Sequence, residues 1–403
     1  MKPLAYLLSL IALLILCSCA PTTSRLGDPE APYPVDREPT VGDILHLPTG
    51  IYVDQTALFA HSQRARIVFV GETHDNPASH RLQQQILAAL QRQNPGRVSL
   101  AMEMFTPAQQ PILDRWTAGE LTEKEFLQQV GWFQNWRMNF GYYRDLLTFC
   151  RDHRIPLVAL NADKELQQKL GRTPLNQLTA EDRERLPEMD MDDPYQLAMV
   201  QAVFSDHAMG GGMLEGFHRV QTLWEETMAA NLADYLRPRD KEHQVLVVAG
   251  GNHIRYGFGI PRRLFRRLPV SYLLVGSQEI NIPEDKQDRL MDIPKPNYPM
   301  PPYDFMVFTE YEDLPAAGVK LGVMLDTGEN GLLIRQVVGD SVAQQNDLRA
   351  GDELLRINEQ PLAEPFDLIY ELQQTQAGEK IVLELTRQDQ ELRKIIRFPA
   401  QQD

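Results

Sequence analysis

Four side chains have the chemistry to work together: Glu72, His74, Glu103 and His253. Two imidazoles and two carboxylates suit a divalent metal such as zinc, manganese or iron. A carboxylate beside a metal-bound water can act as general base in hydrolysis. The four are scattered along the sequence, with no HExxH or other tight helical pair among them, so only the fold can bring them together.

Each of these residues follows an apolar run. Ile67 to Val70 is β-branched and aromatic throughout, as a central parallel strand needs. It stops at Gly71, before Glu72, His74 and Asp75, with His80 a helical turn further on. Asn76 or Asp75 can cap the helix Ala78 to Gln93, and Pro77 suits its first position. Val98 to Met102 gives a second strand ending at Glu103, and Pro156 to Leu160 a third ending at Asn161. Gln244 to Ala249 gives a fourth, ending at Asn252 and His253, and Val270 to Val275 a fifth. Helices start at Thr106-Pro107 and at the capping-box pattern Thr122 to Glu125. Trp132, Trp136 and Arg137 fall in a loop before the helix Gly141 to Arg154. Asp163 to Gly216 reads as a polar helical insertion, and Phe217 to Leu236 as a long helix. Alternating strands and helices predict an α/β fold with a largely parallel sheet and flanking helices. Ligands bind such sheets outside the carboxyl ends of the strands. All the polar strand ends lie there, as do the helix starts carrying Tyr142, Tyr143 and His218.

The 403-residue chain has a formal net charge of −15 and no long basic block, which excludes a nucleic-acid partner. Residues 1–19 form a leader: Lys2, then an apolar run from Leu4 to Leu16 that is short for a membrane span. Leu16-Cys17-Ser18-Cys19 resembles a bacterial lipobox. The resemblance makes Cys19 the lipidated (palmitate-bearing) start of a lipoprotein held at the outer membrane and facing the periplasm. Ala20, rather than Asp, follows it. Cys150 is then the only other mature cysteine, so neither an intrachain disulfide nor a cysteine metal cluster is expected. Residues 20–42 are rich in Pro, Thr and charge, as in a flexible tether.

Gly71 to Asn76, Met102 to Phe105 and Ala249 to His253, with Gly259-Ile260-Pro261 after them, resemble the ChaN-like family of haem-binding, iron-uptake-associated lipoproteins. Tyr143, Pro156 to Asn161 and Gln221 to Ala229 carry the same resemblance, which covers a domain at residues 43–282. The wider superfamily includes Tiki-type metalloproteases and erythromycin-esterase-like enzymes. The resemblance implies a binding protein rather than an enzyme. Its haem would have a tyrosine on ferric iron, and a homodimer would bring two haems face to face. Tyr143 is the first choice of ligand, then Tyr142, then Tyr195. His74, His253, His218 and His207 supply imidazoles near the rim. Arg137 or Arg255 would meet the propionates. Trp132, Trp136, Met138, Met189, Met191, Met199, Met209 and Met213 are candidate pocket walls. Two other readings compete with haem binding. One is a metal-dependent hydrolase using Glu72, His74, Glu103 and His253. The other is a non-catalytic scaffold in which only the second domain acts.

Six prolines between Pro283 and Pro302 mark a linker at residues 283–316, in which Tyr303 to Tyr311 is a candidate strand. Residues 317–398 then resemble a bacterial PDZ domain of the periplasmic protease type. The resemblance rests chiefly on Leu348-Arg349-Ala350-Gly351-Asp352 leading into Ile357-Asn358. Val342 and Asn346-Asp347 depart from that pattern. The resemblance implies a small β-rich domain that takes an envelope protein's C-terminal peptide along Leu321, Gly322, Val323 and Met324. Lys320 would lie near the carboxylate, and Leu368, Ile369 or Leu372 would line the pocket for the last side chain.

Overall fold

The computed structural model describes residues 35–205, 211–289, 298–314 and 318–400. Cys19, His207 and Met209 lie outside the described residues, as do the leader and most of the tether.

In chain order, the first domain begins with β1 (Ile44–His46), β2 (Ile51–Val53), α1 (Gln55–Ser62), β3 (Ile67–Glu72), α2 (Pro77–Gln93) and β4 (Val98–Met102). Next come α3 (Gln110–Thr117), α4 (Glu123–Val130), α5 (Trp132–Asn135), α6 (Arg144–Asp152) and β5 (Leu157–Ala159). An insertion holds α7 (Lys164–Arg172), α8 (Ala180–Glu184) and α9 (Pro194–Ser205). The domain closes with α10 (Gly211–Leu236), β6 (Gln244–Gly250), α11 (Ile260–Arg267), β7 (Tyr272–Ile280) and β8 (Phe305–Glu310).

These strands form an eight-stranded sheet ordered β2-β1-β8-β7-β3-β6-β4-β5. It is parallel from β8 to β5, and β1 alone runs the other way, antiparallel to both β8 and β2. β3 and β6 lie at the centre and are buried along their whole length, which explains their unbroken apolar sequences. α2 packs one face with Leu82, Ile86, Leu87 and Leu90 buried. α10 covers the other with Met228, Leu232 and Leu236. At the start of α2, the Asn76 side chain accepts the Ser79 N–H at 3.0 Å, and Pro77 occupies the first turn.

Three local expectations change. β3 continues through Gly71 to Glu72, because Glu72 still pairs with Gly250 of β6. Trp132 lies in the short helix α5, not in a loop. The largest change is the domain boundary: the candidate strand within Tyr303 to Tyr311 forms as β8 and pairs with both β7 and β1, so the first domain reaches Glu310 and the linker is shorter than 283–316.

The second domain consists of β9 (Val323–Thr327), β10 (Leu332–Val337), α12 (Val342–Gln345), β11 (Glu353–Ile357), β12 (Gln360–Pro361), α13 (Pro365–Gln374), β13 (Lys380–Arg387) and β14 (Gln390–Arg397). Its sheet is antiparallel, ordered β14-β13-β11-β10-β9, with β12 on β11. Asp352, fully buried, is held by Arg387 at 2.6 Å. Among the described residues, no helix is long and apolar enough to cross a membrane.

Candidate functional site

Glu72 ends β3 with a carboxylate that is fully buried. Burying a charge is tolerable only if it is paired and hydrogen-bonded. Glu72 Oε1 accepts from His74 Nδ1 at 2.8 Å and from the Tyr143 hydroxyl at 2.7 Å. Its Oε2 accepts from Gln83 Nε2 at 2.5 Å and lies 3.3 Å from His80 Nδ1. Burial alone would raise the carboxyl's pKa, but the His80 charge and the His74 hydrogen bond hold it well below the usual range. Burial works against a charged His74, yet Glu72 and the nearby Glu103 raise its pKa to about 9. Tyr143 is pushed up by burial and by the Glu72 charge, so its hydroxyl stays a donor.

A second acid–imidazole group stands beside the first. Glu103 Oε2 accepts the Gly250 N–H at 2.7 Å, and its Oε1 lies 3.7 Å from His253 Nε2. His253 Nδ1 lies 3.3 Å from Glu225 Oε1 and 2.9 Å from Gln221 Nε2. Burial opposes the charged form of His253, but Glu103 and Glu225 raise its pKa. Glu225 in turn accepts from Gln196 Nε2 at 2.6 Å and lies 3.5 Å from the guanidinium of Arg263, which is 1 % exposed. Gln196 Oε1 takes the Thr222 hydroxyl at 3.1 Å and His218 Nε2 at 3.3 Å, tying α9 to α10.

Between these groups and α9 opens a cavity of about 160 Å³. Its floor is Glu72, Thr73, His74, Gln221, Glu225 and Gly250 to His253. Its walls are apolar: Met199, Val200 and Val203 of α9, Phe217 of α10, and Phe258. The loop that presents Phe258 is tightly constrained. Tyr256 adopts φ 59°, costly for a bulky residue. A Cβ on Gly259 would stand 2.2 Å from the His253 carbonyl oxygen, so only glycine fits there. Tyr195 stacks on Phe258 at 4.9 Å, with Tyr298 edge-on to both.

The sequence profile described as haem-binding uptake, Tiki superfamily, ChaN matches residues 58–264, half of the chain. The chain belongs to the ChaN family. A PDZ domain profile matches residues 319–395. Among solved structures, a Campylobacter jejuni ChaN with cofacially bound haem shares 15% identity and a TM-score of 0.50, over 68% of this chain and 98% of that one. At that identity the likeness speaks for the fold. A serine endoprotease of Yersinia pestis matches at 20% identity and TM-score 0.20, over 22% of this chain and 30% of that one. The HtrA-type protease AlgW with a decapeptide does so at 19% and 0.20, over 21% and 30%. No curated protein matches.

The ChaN domain brings some of the candidate residues together and separates others. Glu72, His74 and His253 line the cavity, and Glu103 touches its floor from behind. Each carboxylate of the floor is already engaged by imidazole, hydroxyl, amide or N–H partners. Among the described residues, no group of three or more His, Cys, Asp or Glu side chains is disposed to hold a metal ion. Tyr143 is buried behind the floor, spent on Glu72, and does not line the cavity. Tyr142 is half-buried against His80, with ring centroids 5.8 Å apart. Arg137 is exposed and Arg255 stacks near Tyr256 and Tyr303. His218 is buried behind Gln196. Of the candidate methionines in described positions only Met199 lines the cavity. Trp132 and Trp136 pack instead beside Tyr143 and His74. Gln83, Gln196, Glu225, Val200, Val203 and Phe258 had not been singled out. The i, i+4 pair Gln221 and Glu225, on a helix otherwise apolar toward the sheet, was the available signal.

In the PDZ domain, Val319 to Val323 and Leu325 face Leu368, Ile369 and Leu372 of α13 across an open hollow. β9 begins at Val323, so Leu321 and Gly322 form the turn before it, not part of the strand. Gly322 has φ +84°, and a Cβ there would meet Ser341 Cβ at 2.2 Å.

Proposed function

We propose that the ChaN domain binds haem in the cavity between the strand ends and α9, and that the chain serves haem or iron acquisition from the cell envelope. The observation that carries this is the cavity itself: apolar walls of Met199, Val200, Val203, Phe217 and Phe258 above a floor holding His74 and His253. A flat conjugated ring suits such apolar walls, and the imidazoles, on giving up a proton, are the floor groups with the chemistry to meet its iron. When bound, haem would supply a redox-active iron. Glu72 and Glu225 orient the two imidazoles through Nδ1, and Tyr143 and Gln83 keep Glu72 in place. Tyr143 therefore acts as a positioning residue, and Tyr195, stacked on the wall residue Phe258, is the tyrosine left as a candidate for contact.

Anchoring at Cys19, the outer-membrane location and a face-to-face homodimer belong to the same proposal. The PDZ domain is proposed to recruit an envelope protein by its C-terminal peptide, supported by the hollow between Leu321 and Leu372. Absorption spectroscopy and metal analysis of the purified chain test the first claim. A ferric haem spectrum at one equivalent, weakened in Val200→Asp and altered in His74→Ala, His253→Ala or Tyr195→Phe, is expected. Stoichiometric zinc or manganese without haem would favour a hydrolase, and neither ligand would leave the scaffold.

A further inference from the structure

The helix that lines the peptide hollow is also the one that docks the PDZ domain onto the ChaN domain. On one side of α13, Leu368 and Leu372 close onto Leu321 in a single apolar cluster. On the other, Phe366 is 2 % exposed and belongs to the core of the first domain, with Tyr370 packed against that core. Phe366 meets Phe133 of α5 at 5.6 Å between ring centroids. Lys124 of α4 lies 3.2 Å from Asp367 and sits over the Tyr370 ring at 5.5 Å. Gln128 of α4 hydrogen-bonds to Glu364 at the start of α13.

α5 carries the contact onward. It is a four-residue helix between two left-handed positions, Gly131 at φ 61° and Arg137 at φ 70°. While Phe133 faces α13, Trp132 packs on Tyr143 with centroids 5.4 Å apart, and Trp136 stands edge-on to His74 at 4.8 Å. His74 is part of the cavity floor. One short element therefore touches the peptide helix and the floor of the cavity, and its two ends are turns where a small change in dihedral moves the whole piece.

We infer that occupancy of the PDZ hollow and occupancy of the ChaN cavity are coupled through α5. A peptide side chain seated between Leu321 and α13 packs against α13 and biases its position. Phe366 is locked to Phe133, so that bias reaches Trp136 and the imidazole it covers. Coupling of this kind is reciprocal in affinity. The inference uses the proposed ligand of the cavity only as one of two readouts.

The test uses the full chain and needs no peptide of known identity. Ile369, half-buried at the hollow's edge, is replaced by Trp to fill the hollow from within. Ile369→Phe serves where circular dichroism shows the indole is not accommodated. The His74 ring resonances and the hemin affinity are measured in wild type, Ile369→Trp, Phe133→Ala and the double variant. Ile369→Trp is expected to shift the His74 resonances and change hemin affinity by about fivefold or more, and Phe133→Ala to abolish both effects. His74 resonances and hemin affinity at wild-type values, in a folded variant with a filled hollow, would overturn the coupling. If hemin binds no form of the chain, the haem proposal falls, and the His74 resonances alone decide the coupling.

Discussion

Substituting Glu72→Gln keeps the shape of the side chain and removes the charge that holds two imidazoles. In the native chain, burial opposes His74⁺, but Glu72 and Glu103 raise its pKa from 6.5 to about 9. That gap is worth roughly 3 kcal/mol of folding free energy. A raised histidine contributes fully below its unfolded value and loses the contribution as pH rises through the folded one. The stabilisation is thus complete at pH 6 and gone by about pH 10. Glu72 is the opposite case: its pKa is lowered, so its contribution is present above its ordinary value of 4.5 and is lost on acidification. Both describe one ion pair and are counted once. Urea unfolding followed by tryptophan fluorescence reads this directly, because Trp116, Trp132, Trp136 and Trp224 all lie in the first domain. His74 alone should cost the wild type roughly 3 kcal/mol between pH 6 and pH 10, and Glu72→Gln should lose most of that part of the slope and be less stable at pH 6. A variant with the wild type's alkaline decline, or a wild type flat over this range, would refute the argument.

Other perturbations follow from the same geometry. Arg263→Met leaves Glu225 buried without its guanidinium, while Glu226 keeps Arg266 and Arg267, so thermal unfolding should show a loss of about 3–5 kcal/mol. Gly259→Ala drives a methyl group into the His253 carbonyl; calorimetry should show a lower Tm, and hemin titration a weakened site. Gly322→Val combines a left-handed backbone with a clash against Ser341, so binding of C-terminal peptides selected on the wild-type PDZ domain should be lost. Cys19→Ser should move the chain from the detergent to the aqueous phase on partitioning, and unchanged partitioning would sink the lipid anchor.

The parallel sheet was legible because its central strands are buried on both faces and so are written as unbroken apolar runs. Their ends mark the ligand edge for the same reason: Glu72, Glu103 and the pair Asn252-His253 are the first polar residues after each run. Asn76 and Pro77 announced the start of α2 through cap chemistry that acts within four residues. What sequence did not reveal depends on distant partners. β8 is legible as a strand, but its place between β7 and β1 is not, since the prolines before it read as a linker. Tyr143 looked like a free rim tyrosine because nothing local shows that Glu72, seventy-one positions away, takes its hydroxyl. The cavity walls on α9 were read as part of a polar insertion, since Met199, Val200 and Val203 acquire a common face only when α9 lies against α10.

The central claim is that the cavity beneath α9 takes haem. Its most direct test is an equilibrium titration of the full chain with hemin, followed by absorption, in wild type and Val200→Asp. Val200 is buried in the cavity wall and takes no part in the ion pairs of the floor, so an aspartate there opposes an apolar ring without removing a member of the imidazole network. The account predicts saturation at one equivalent for the wild type and an affinity at least tenfold weaker for a folded Val200→Asp, about 1.4 kcal/mol. Wild-type affinity in that variant, or no saturable binding by the wild type, would contradict it.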